Sequence, residues 1–514
     1  MGWKRKTLIG TGAVIAATYA GLAWVTCAPE RPVVHPPRAG RLILTDVAVV
    51  DPRRGTVTRG TSVLMDGGRI VAVGRDGTVA APPGTRHVEG GGRYMIPGLN
   101  DMHAHPLEKD DPSGQLALML TYGVTGFRQM SGSDDMLRDR RESRLPIGQA
   151  APRLLIMPGA LLTPLNASRP DQVRATVRHE KAAGADFIKA GLVDGPGLAA
   201  ALDEGRRIGI TVSGHVPAGT SVVSAARGGM RAIEHLGPSN GLLIACSSES
   251  DRLLAELRAS ARPPKLPEIH SHIVERLAGW ALLKRVVNPA AADHDAGEIG
   301  TLREALATYD DARCRRAARI FRKVGNWQVP TLIRLKSIYL ADDPAFARDP
   351  ALRYMPASEV ATWRDVTGRF VRTYPEADRA VMRQGYEASL RAVRLLDQEG
   401  VRMLTGSDAS GAGWLIPGHA LHQEFDELNR AGLSPLRILQ MATSDAADFL
   451  GRATTMGEVS PGRDADLVLL DGDPTRSVAN LHRVDGVVRA GFYYDARTLA
   501  ALRDRIVSGG GMLK

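Results

Sequence analysis

Short apolar runs alternate with amphipathic stretches of helical length through most of this chain. Eight of these runs are typical of buried β-strands, because they are rich in branched apolar residues and are separated by segments long enough to form helices. The predicted strands are Tyr94–Leu99, Val124–Met130, Arg153–Pro158, Phe187–Leu192, Ile210–His215, Arg231–Leu236, Trp327–Ile333 and Arg402–Ser407. Eight strands that alternate with helices predict an α/β fold, a (β/α)8 TIM-type barrel over residues 96–454.

Two connections in this pattern are much longer than the others, at residues 237–326 and 334–401. They contain helical stretches such as Leu302–Val324 and Tyr386–Leu396. We expect helical inserts that wall the mouth of the barrel, where barrel enzymes carry their specificity.

The segments on either side of the barrel are rich in β-branched residues. The predicted strands there are Leu42–Val50, Ser62–Met65, Arg69–Val73, Asp466–Leu470 and Val484–Tyr493. We expect residues 41–95 and 455–495 to form one small β-sandwich, and two unrelated β-decorations are the alternative. Residues 496–514 are predicted to form a C-terminal helix and tail.

The first 40 residues have a different composition from the rest. Lys4-Arg5-Lys6 precedes an uncharged stretch from Thr7 to Thr26, which is long enough for a signal peptide or a transmembrane helix. We therefore interpret residues 1–27 as a signal or membrane anchor and residues 28–40 as a Pro-rich linker. Basic residues before an apolar segment favour export of the chain beyond that segment. The sequence predicts a periplasmic or cell-envelope protein that associates with the membrane through this segment; whether it is cleaved, lipidated at Cys27 or retained stays open.

Composition narrows the functional classes. The chain has 514 residues, of which 44% are hydrophobic and 24% charged, as in ordinary globular proteins. Its formal net charge of +10 is accompanied by no nucleic-acid-binding motif, so we expect a diffusely basic surface and no nucleic-acid partner. The three cysteines (Cys27, Cys246 and Cys314) form no CxxC pair, and neither a disulfide framework nor a thiolate zinc site is indicated.

The most informative motif is His103-Ala104-His105, which follows Pro97-Gly98 and an apolar run. Alternate side chains of a strand point to one face, so both imidazoles are predicted to point toward the barrel axis, as nitrogen ligands for a metal. A second HxH pair, at His270 and His272, lies in a Pro-flanked segment without a predicted strand. We assign that second pair to the protein surface.

Further residues at the predicted strand ends make the chain resemble the amidohydrolase superfamily, in the branch of imidazolonepropionase-like proteins and prolidases with a carboxylated lysine. In that family HxH follows strand 1, Lys follows strand 4, His follows strands 5 and 6, and Asp follows strand 8. The matching positions here are His103, His105, Lys189, His215, His235 and Asp408. The resemblance covers roughly residues 41–495, because the terminal segments also resemble the family's β-sandwich.

The resemblance implies two divalent metal ions bridged by a carboxylated Lys189. An ammonium group has no lone pair for a cation, but burial lowers a lysine pKa, and a neutral amine can take up carbon dioxide. Ligation by several histidines and one carboxylate favours zinc and permits manganese, iron or cobalt. Asp408 is then a metal ligand and a catalytic residue: it accepts the proton of a metal-activated water and passes it to the leaving nitrogen.

Other charged or ring-bearing residues have two interpretations each. Arg128 is a candidate for binding a substrate carboxylate, or a structural ion-pair partner. His419 and His422 are candidates for lining the pocket, although histidines on helix surfaces are more common. His215 and His235, taken singly, resemble core histidines. Glu234 is predicted to face away from His235 and to be structural.

These features predict a hydrolase that cleaves a C–N bond in a small amide, N-acyl amino acid or peptide-like substrate. The sequence departs from prolidases after Lys189, where a Ser- and Gly-rich loop is missing, and after His215, where Val216-Pro217 replaces an aromatic residue. A lactonase, esterase or deaminase on the same scaffold, or a non-catalytic envelope binding protein, remains an alternative. The oligomeric state, including a homo-oligomer, stays open.

Overall fold

The computed structural model describes residues 40–109, 111–260, 287–292 and 295–509. The predicted export segment, all but the last residue of the linker, the second HxH pair and the end of the C-terminal tail lie outside the described residues. Within the described ranges, no helix combines the length and the apolar character needed to cross a membrane.

The β-strands of the described chain fall into two groups, one from the chain ends and one from the middle. In chain order they are β1 (Leu42–Asp51), β2 (Thr56–Asp66), β3 (Arg69–Arg75), β4 (Arg86–Glu89), β5 (Tyr94–Pro97), β6 (Leu99–Ala104), β7 (Val124–Gln129), β8 (Arg153–Ile156), β9 (Phe187–Ala190), β10 (Thr211–Gly214), β11 (Ala232–Glu234), β12 (Trp327–Val329), β13 (Arg402–Met403), β14 (Leu467–Leu470), β15 (Val484–Arg489) and β16 (Phe492–Asp495).

Strands from both ends of the chain pair in one sheet of eight strands and mixed direction. Its order is β16-β15-β14-β5-β1-β2-β3, with β4 paired to β1. β14 lies antiparallel to β5, where Val468 pairs with Ile96, so the two ends of the chain meet at the centre of the sheet. Apolar side chains of these strands form a core of their own, which includes Leu44, Met65 and Leu467.

The middle of the chain supplies eight parallel strands. β6, β7 and β8 form one sheet, and β9 to β13 form another in sequential order. Backbone hydrogen bonds join the two sheets on both sides: the amide of Asp186 donates to Met157 at 3.0 Å, and the amide of Met102 donates to Thr405 at 2.9 Å. The carboxyl ends of all eight strands therefore lie on the same side of the structure.

The helices surround these parallel strands and occur in the described parts of both long connections. They are α1 (Pro112–Thr121), α2 (Asp134–Arg141), α3 (Pro170–Ala183), α4 (Gly195–Ile208), α5 (Val222–Arg227), α6 (Gly241–Ala245), α7 (Ser250–Ser260), α8 (Pro289–Ala292), α9 (Ala296–Ala307), α10 (Asp311–Val324), α11 (Leu332–Tyr339), α12 (Pro344–Arg348), α13 (Ala357–Thr373), α14 (Glu376–Gln398), α15 (His419–Arg430), α16 (Pro435–Ala442), α17 (Ser444–Phe449) and α18 (Ala496–Ser508). Short 3-10 helices occur at Pro106–Glu108, Pro350–Tyr354 and Val478–His482. The long helix α14 packs against α9, α10 and α11, which unites the two inserts.

The predicted strand Tyr94–Leu99 is in fact the end of one sheet and the start of another. Tyr94–Pro97 pairs in the terminal sheet, whereas Leu99–Ala104 is the first parallel strand. Gly98 permits the crossing, because a Cβ atom at this position would lie 1.8 Å from the Thr125 hydroxyl oxygen. His103 consequently lies inside a parallel strand, and His105 directly follows it. The predicted strand Val484–Tyr493 is likewise divided, by a turn at Ala490-Gly491 where both residues have positive φ angles.

Cys246 and Cys314 form a disulfide bond, which corrects the interpretation that the cysteines indicate no disulfide. The bond joins the end of α6 to α10, and both cysteines are buried. They are 68 residues apart in no recognisable motif, so nothing in their spacing marks them as partners.

Candidate metal centre

The predicted metal ligands lie at the carboxyl ends of the parallel strands. His103 lies in β6 and Lys189 in β9, while His215 and His235 each follow a strand by one residue. Asp408 reaches the same region because its backbone amide donates to the carbonyl oxygen of His103 at 2.7 Å. This backbone hydrogen bond holds His103, in the first parallel strand, beside Asp408, which follows the last one.

The side chains of these residues converge. Oδ1 of Asp408 lies 3.0 Å from Nε2 of His103 and 3.1 Å from Nε2 of His105. The ring of His235 is centred 4.6 Å from that of His103 and 5.1 Å from that of His215. One ligand atom each from His103, His235 and Asp408 lies within 4.8 Å of the other two, which is the spacing of groups that can hold one cation.

Lys189 is buried next to this cluster with only 2% of its surface exposed. Its Nζ atom has no hydrogen-bond partner among the described residues. Burial lowers the pKa of Lys189 to about 8, although the Glu234 and Asp408 carboxylates oppose the shift. Gly214 on the neighbouring strand leaves room for the lysine stem, since a Cβ atom there would lie 3.0 Å from Cδ of Lys189. A buried amine of this kind is better suited to carboxylation than a free lysine, because the lowered pKa increases the uncharged fraction near neutral pH.

Burial keeps the two later histidines uncharged. It lowers the pKa of His215 to about 3 and, together with neighbouring rings, holds the pKa of His235 well below its usual range. Burial also opposes ionisation of Asp408, but the ring of His103, together with the hydrogen bonds from His103 and His105, outweighs it and holds the pKa of this carboxyl well below its usual range. Neutral imidazoles and an ionised carboxylate are the forms that bind metal ions.

Three of the rings use their other nitrogen for a hydrogen bond that fixes the ring orientation. Nδ1 of His103 lies 2.7 Å from Oε2 of Glu234, and Nδ1 of His235 lies 2.6 Å from the hydroxyl of Thr331. Nδ1 of His105 lies 2.7 Å from Oε1 of Glu108. Support of this kind orients metal-ligating histidines in proteins and raises their basicity.

Two of these supporting groups differ from what the sequence predicted. Glu234 does not point away from the site but contacts a predicted ligand, because β11 ends at Glu234 and His235 has a left-handed φ of 55°. The alternation of strand side chains therefore stops between these two residues. Thr331 was missed because the predicted strand Trp327–Ile333 ends at Val329, and Thr331 instead begins helix α11.

Arg128 forms a buried ion pair, which is one of the two interpretations that the sequence leaves open. Its guanidinium is fully buried, donates to Oε1 of Glu234 at 3.0 Å and lies 4.4 Å from the centre of the Phe187 ring. The ion-pair interpretation is the one that the structure supports, and the pair places Arg128 directly behind His103.

His419 and His422 have their contacts with Asp349 and Tyr122. Nε2 of His419 lies 2.8 Å from Oδ2 of Asp349, and the ring packs against Tyr122. His422 is buried and its Nε2 donates to the carbonyl oxygen of Tyr122 at 2.7 Å. The ion pair with Asp349 occupies Nε2 of His419, and a substrate-binding role for this residue stays a prediction.

Arg334 is a neighbour of the cluster that sequence reasoning missed. It projects from α11, and its Nε lies 3.2 Å from Oδ2 of Asp408 while its Nη1 donates to the carbonyl oxygen of Val287 at 2.9 Å. Asp408 is thus contacted by imidazoles on one oxygen and a guanidinium on the other. Only the course of the helix after β12 brings Arg334 here, and no local motif marks it.

Comparison with known proteins gives a family match for part of the chain. Residues 355–492 match the amidohydrolase family, a range that includes Asp408 and begins after the other five predicted ligands. The adenine deaminase of Ruegeria pomeroyi is 31% identical over 150 residues, which cover 28% of this chain and 23% of that protein. The adenine deaminase of Paracoccus denitrificans is 38% identical over 71 residues, covering 13% of this chain and 12% of that protein. The chain therefore spans less than a quarter of the length of these curated relatives.

Solved structures match nearly the whole chain. Bottromycin amidohydrolase superposes with a TM-score of 0.65 at 23% identity, covering 94% of this chain and 92% of that one. A Xaa-Pro dipeptidase with bound methionine superposes with a TM-score of 0.58 at 16% identity, covering 89% and 100%. The chain shares the α/β fold of these proteins.

Proposed function

We propose that this chain is a metal-dependent amidohydrolase of the carboxylated-lysine, prolidase-like branch, which cleaves a C–N bond within a closed (β/α)8 barrel. The observation that carries the proposal is the convergence of His103, His235 and Asp408 to within 4.8 Å beside a buried lysine. The sequence pattern alone predicts these positions as ligands. Residues that are far apart in the sequence and are predicted to be ligands would rarely converge in this way by chance.

The donor set fits two divalent cations, with zinc as the favoured ion. The cluster offers imidazole nitrogens, the Asp408 carboxylate and the Lys189 amine, whose carbamate would supply two bridging oxygens. Glu234, Glu108 and Thr331 occupy the ring nitrogens that face away from the cluster. When bound, such cations lower the pKa of a coordinated water from 15.7 to about 7 and polarise the substrate carbonyl.

Asp408 performs the proton transfers in this proposal. Its carboxylate accepts the proton of the attacking water as the new C–O bond forms, and it donates that proton to the leaving nitrogen as the C–N bond breaks. Arg334, which contacts its other oxygen, orients the carboxylate and keeps it ionised. His103 and His105 hold the near oxygen at 3.0 and 3.1 Å.

Replacement of Asp408 by Asn tests this role. We expect the variant to fold normally and to lose about 10²–10⁴-fold or more of kcat/KM on a panel of N-acyl amino acids and peptide amides assayed with added zinc. Asp426→Asn, on the exposed side of α15, is the matched control and should retain activity. Turnover by Asp408→Asn at the wild-type rate would exclude Asp408 as the acid–base group.

A deaminase is the second candidate, because the curated proteins with partial similarity are adenine deaminases. The same residues would then direct water to a ring carbon that bears an amino group, with ammonia as the leaving group. Measurement of ammonia release from adenine and related aminated rings, beside amine release from the amide panel, separates the two reactions.

A further inference from the structure

A cavity of about 290 Å³ opens mainly among three parts of the chain, two of which also contribute to the candidate centre. Its walls come from the loop after β6 with helix α1, from α13 with the turn before it, and from the segment after Asp408. Its lining includes Lys109, Leu118, Tyr354, Thr362, Trp363 and Gly411. Ligand-binding pockets start at about 300 Å³, so this cavity suits one bulky chemical group and not a whole large ligand.

The cavity lies near the candidate metal centre, although none of the six predicted ligands lines it. Gly411 lies three positions after Asp408, so their Cα atoms are at most about 11 Å apart. Val287, which also lines the cavity, accepts a hydrogen bond from Arg334, the residue in contact with Asp408. When the reacting bond of a substrate lies at Asp408, the substituent next to that bond can therefore extend into the cavity.

The wall formed by α13 is aromatic. Trp363 is 1% exposed, and its indole N–H has no hydrogen-bond partner among the described residues. Tyr354 and Leu118 add further apolar surface. The indole N–H of Trp363 is enclosed by protein and cannot reach a bound molecule, so Trp363 contributes only the surface of its ring to the cavity.

The three charged side chains of the cavity, Lys109, Asp111 and Glu359, have partners within the protein, and the carboxylate of Asp111 accepts a hydrogen bond from the amide of Gly114 at 3.0 Å. Nζ of Lys109 lies 3.0 Å from Oε1 of Glu359, and each side chain keeps about a fifth of its surface exposed, at 22% and 21%. An anionic group that entered would have to compete with Glu359 for the ammonium group. A neutral group meets no such competition.

From these observations we infer that the cavity binds an uncharged aromatic substituent of the substrate, next to the bond that is cleaved. This inference rests on the proposed function, since it assigns the substrate class of the same site. It makes α13, within the second insert, the element that determines specificity.

Binding of two neutral amides to the full-length protein tests the inference. We expect isothermal titration to show that N-acetyl-L-phenylalaninamide binds at least about tenfold more tightly than N-acetyl-L-alaninamide, because the cavity buries the ring. The measurement is made after chelation of metals, so that no turnover interferes, and is repeated with zinc. An equal affinity for the two amides would overturn the inference.

Thr362→Phe fills the cavity and should reduce the preference to less than about threefold. Ala361→Phe, the neighbouring exposed position on the same helix, adds the same ring outside the cavity and should keep the preference. Retention of the preference in Thr362→Phe would place the aromatic group elsewhere. If the wild-type protein prefers the phenylalanine amide but hydrolyses no amide, the proposed function is contradicted and the inference is not. If it hydrolyses amides but binds the two compounds equally, the inference is contradicted and the proposed function is not.

Glu359→Gln tests the part played by charge. It removes the partner of Lys109, so phenylacetate should bind at least about fivefold more tightly to this variant than to the wild type. An unchanged affinity would show that Lys109 does not face the bound group and would contradict the charge argument.

Discussion

The carboxylate of Glu234 supports both the fold and the candidate metal centre, and these two roles can be separated by mutation. Its oxygens contact Arg128 at 3.0 Å and His103 at 2.7 Å, and all three side chains are almost completely buried. Glu234→Gln leaves the Arg128 charge buried without its partner, which typically costs about 3–5 kcal/mol of unfolding free energy. Loss of the carboxylate behind a ligating imidazole typically weakens metal binding about 10–100-fold.

A double variant distinguishes the two effects. Arg128→Met with Glu234→Gln removes the whole ion pair, so the free energy of unfolding should return to within about 1–2 kcal/mol of the wild type. The metal affinity should remain low, because His103 still lacks its carboxylate. Denaturant unfolding of the metal-free protein and competition with a chelator measure the two quantities, and Glu256→Gln on the surface of α7 is the control.

A double variant that binds metal as tightly as the wild type would refute the supporting role of Glu234.

Acid titration gives a second check. Burial favours the neutral form of Glu234, but Arg128 and His103 outweigh it and lower its pKa from 4.5 to about 2. Ionised Glu234 therefore stabilises the folded state above about pH 4.5, and this stabilisation is lost as the pH falls toward 2. Between these pH values, the free energy of unfolding of Glu234→Gln should depend less on pH than that of the wild type.

Two other features of the chain give predictions about stability. The Cys246–Cys314 bond closes a loop across 68 residues, so Cys246→Ala with Cys314→Ala should lower the unfolding free energy by about 4 kcal/mol in the chain-entropy treatment; an unchanged unfolding free energy of this double variant would contradict a stabilising role of the bond. Burial raises the pKa of Glu180 well above 4.5, so this carboxyl costs stability as the pH rises above that value. Glu180→Gln should raise Tm at pH 8 and change it little at pH 4.5; the same Tm difference at both pH values would contradict the shift.

Much of the candidate site could be predicted because its residues follow the ends of apolar runs. His103, Lys189, His215 and Asp408 each lie at such an end, and parallel strands bring their carboxyl ends together. The pattern of apolar runs also predicted the eight parallel strands, although it misplaced the boundary at Gly98. Close contact with Thr125, a residue of another strand, decides that boundary.

The remaining features depend on contacts that local sequence does not contain. Alternation assigned Glu234 to the wrong side because a positive φ at His235 ends the strand rule there. Arg334 and Thr331 reach the site only because α11 starts soon after β12 ends. Glu424 of α15 accepts a hydrogen bond at 2.8 Å from the amide of Ile333, which lies in the first turn of α11. Long-range packing of this kind decides which residues support the ligands.

Counting the metal ions bound per chain tests the central claim most directly. Plasma mass spectrometry of protein reconstituted with zinc and bicarbonate should give two ions for the wild type and fewer for Lys189→Met, and a crystal structure of the same wild-type sample should show a carboxyl group on the lysine nitrogen. A wild-type protein that binds no zinc, or a Lys189→Met variant that still binds two ions, would contradict the proposed centre.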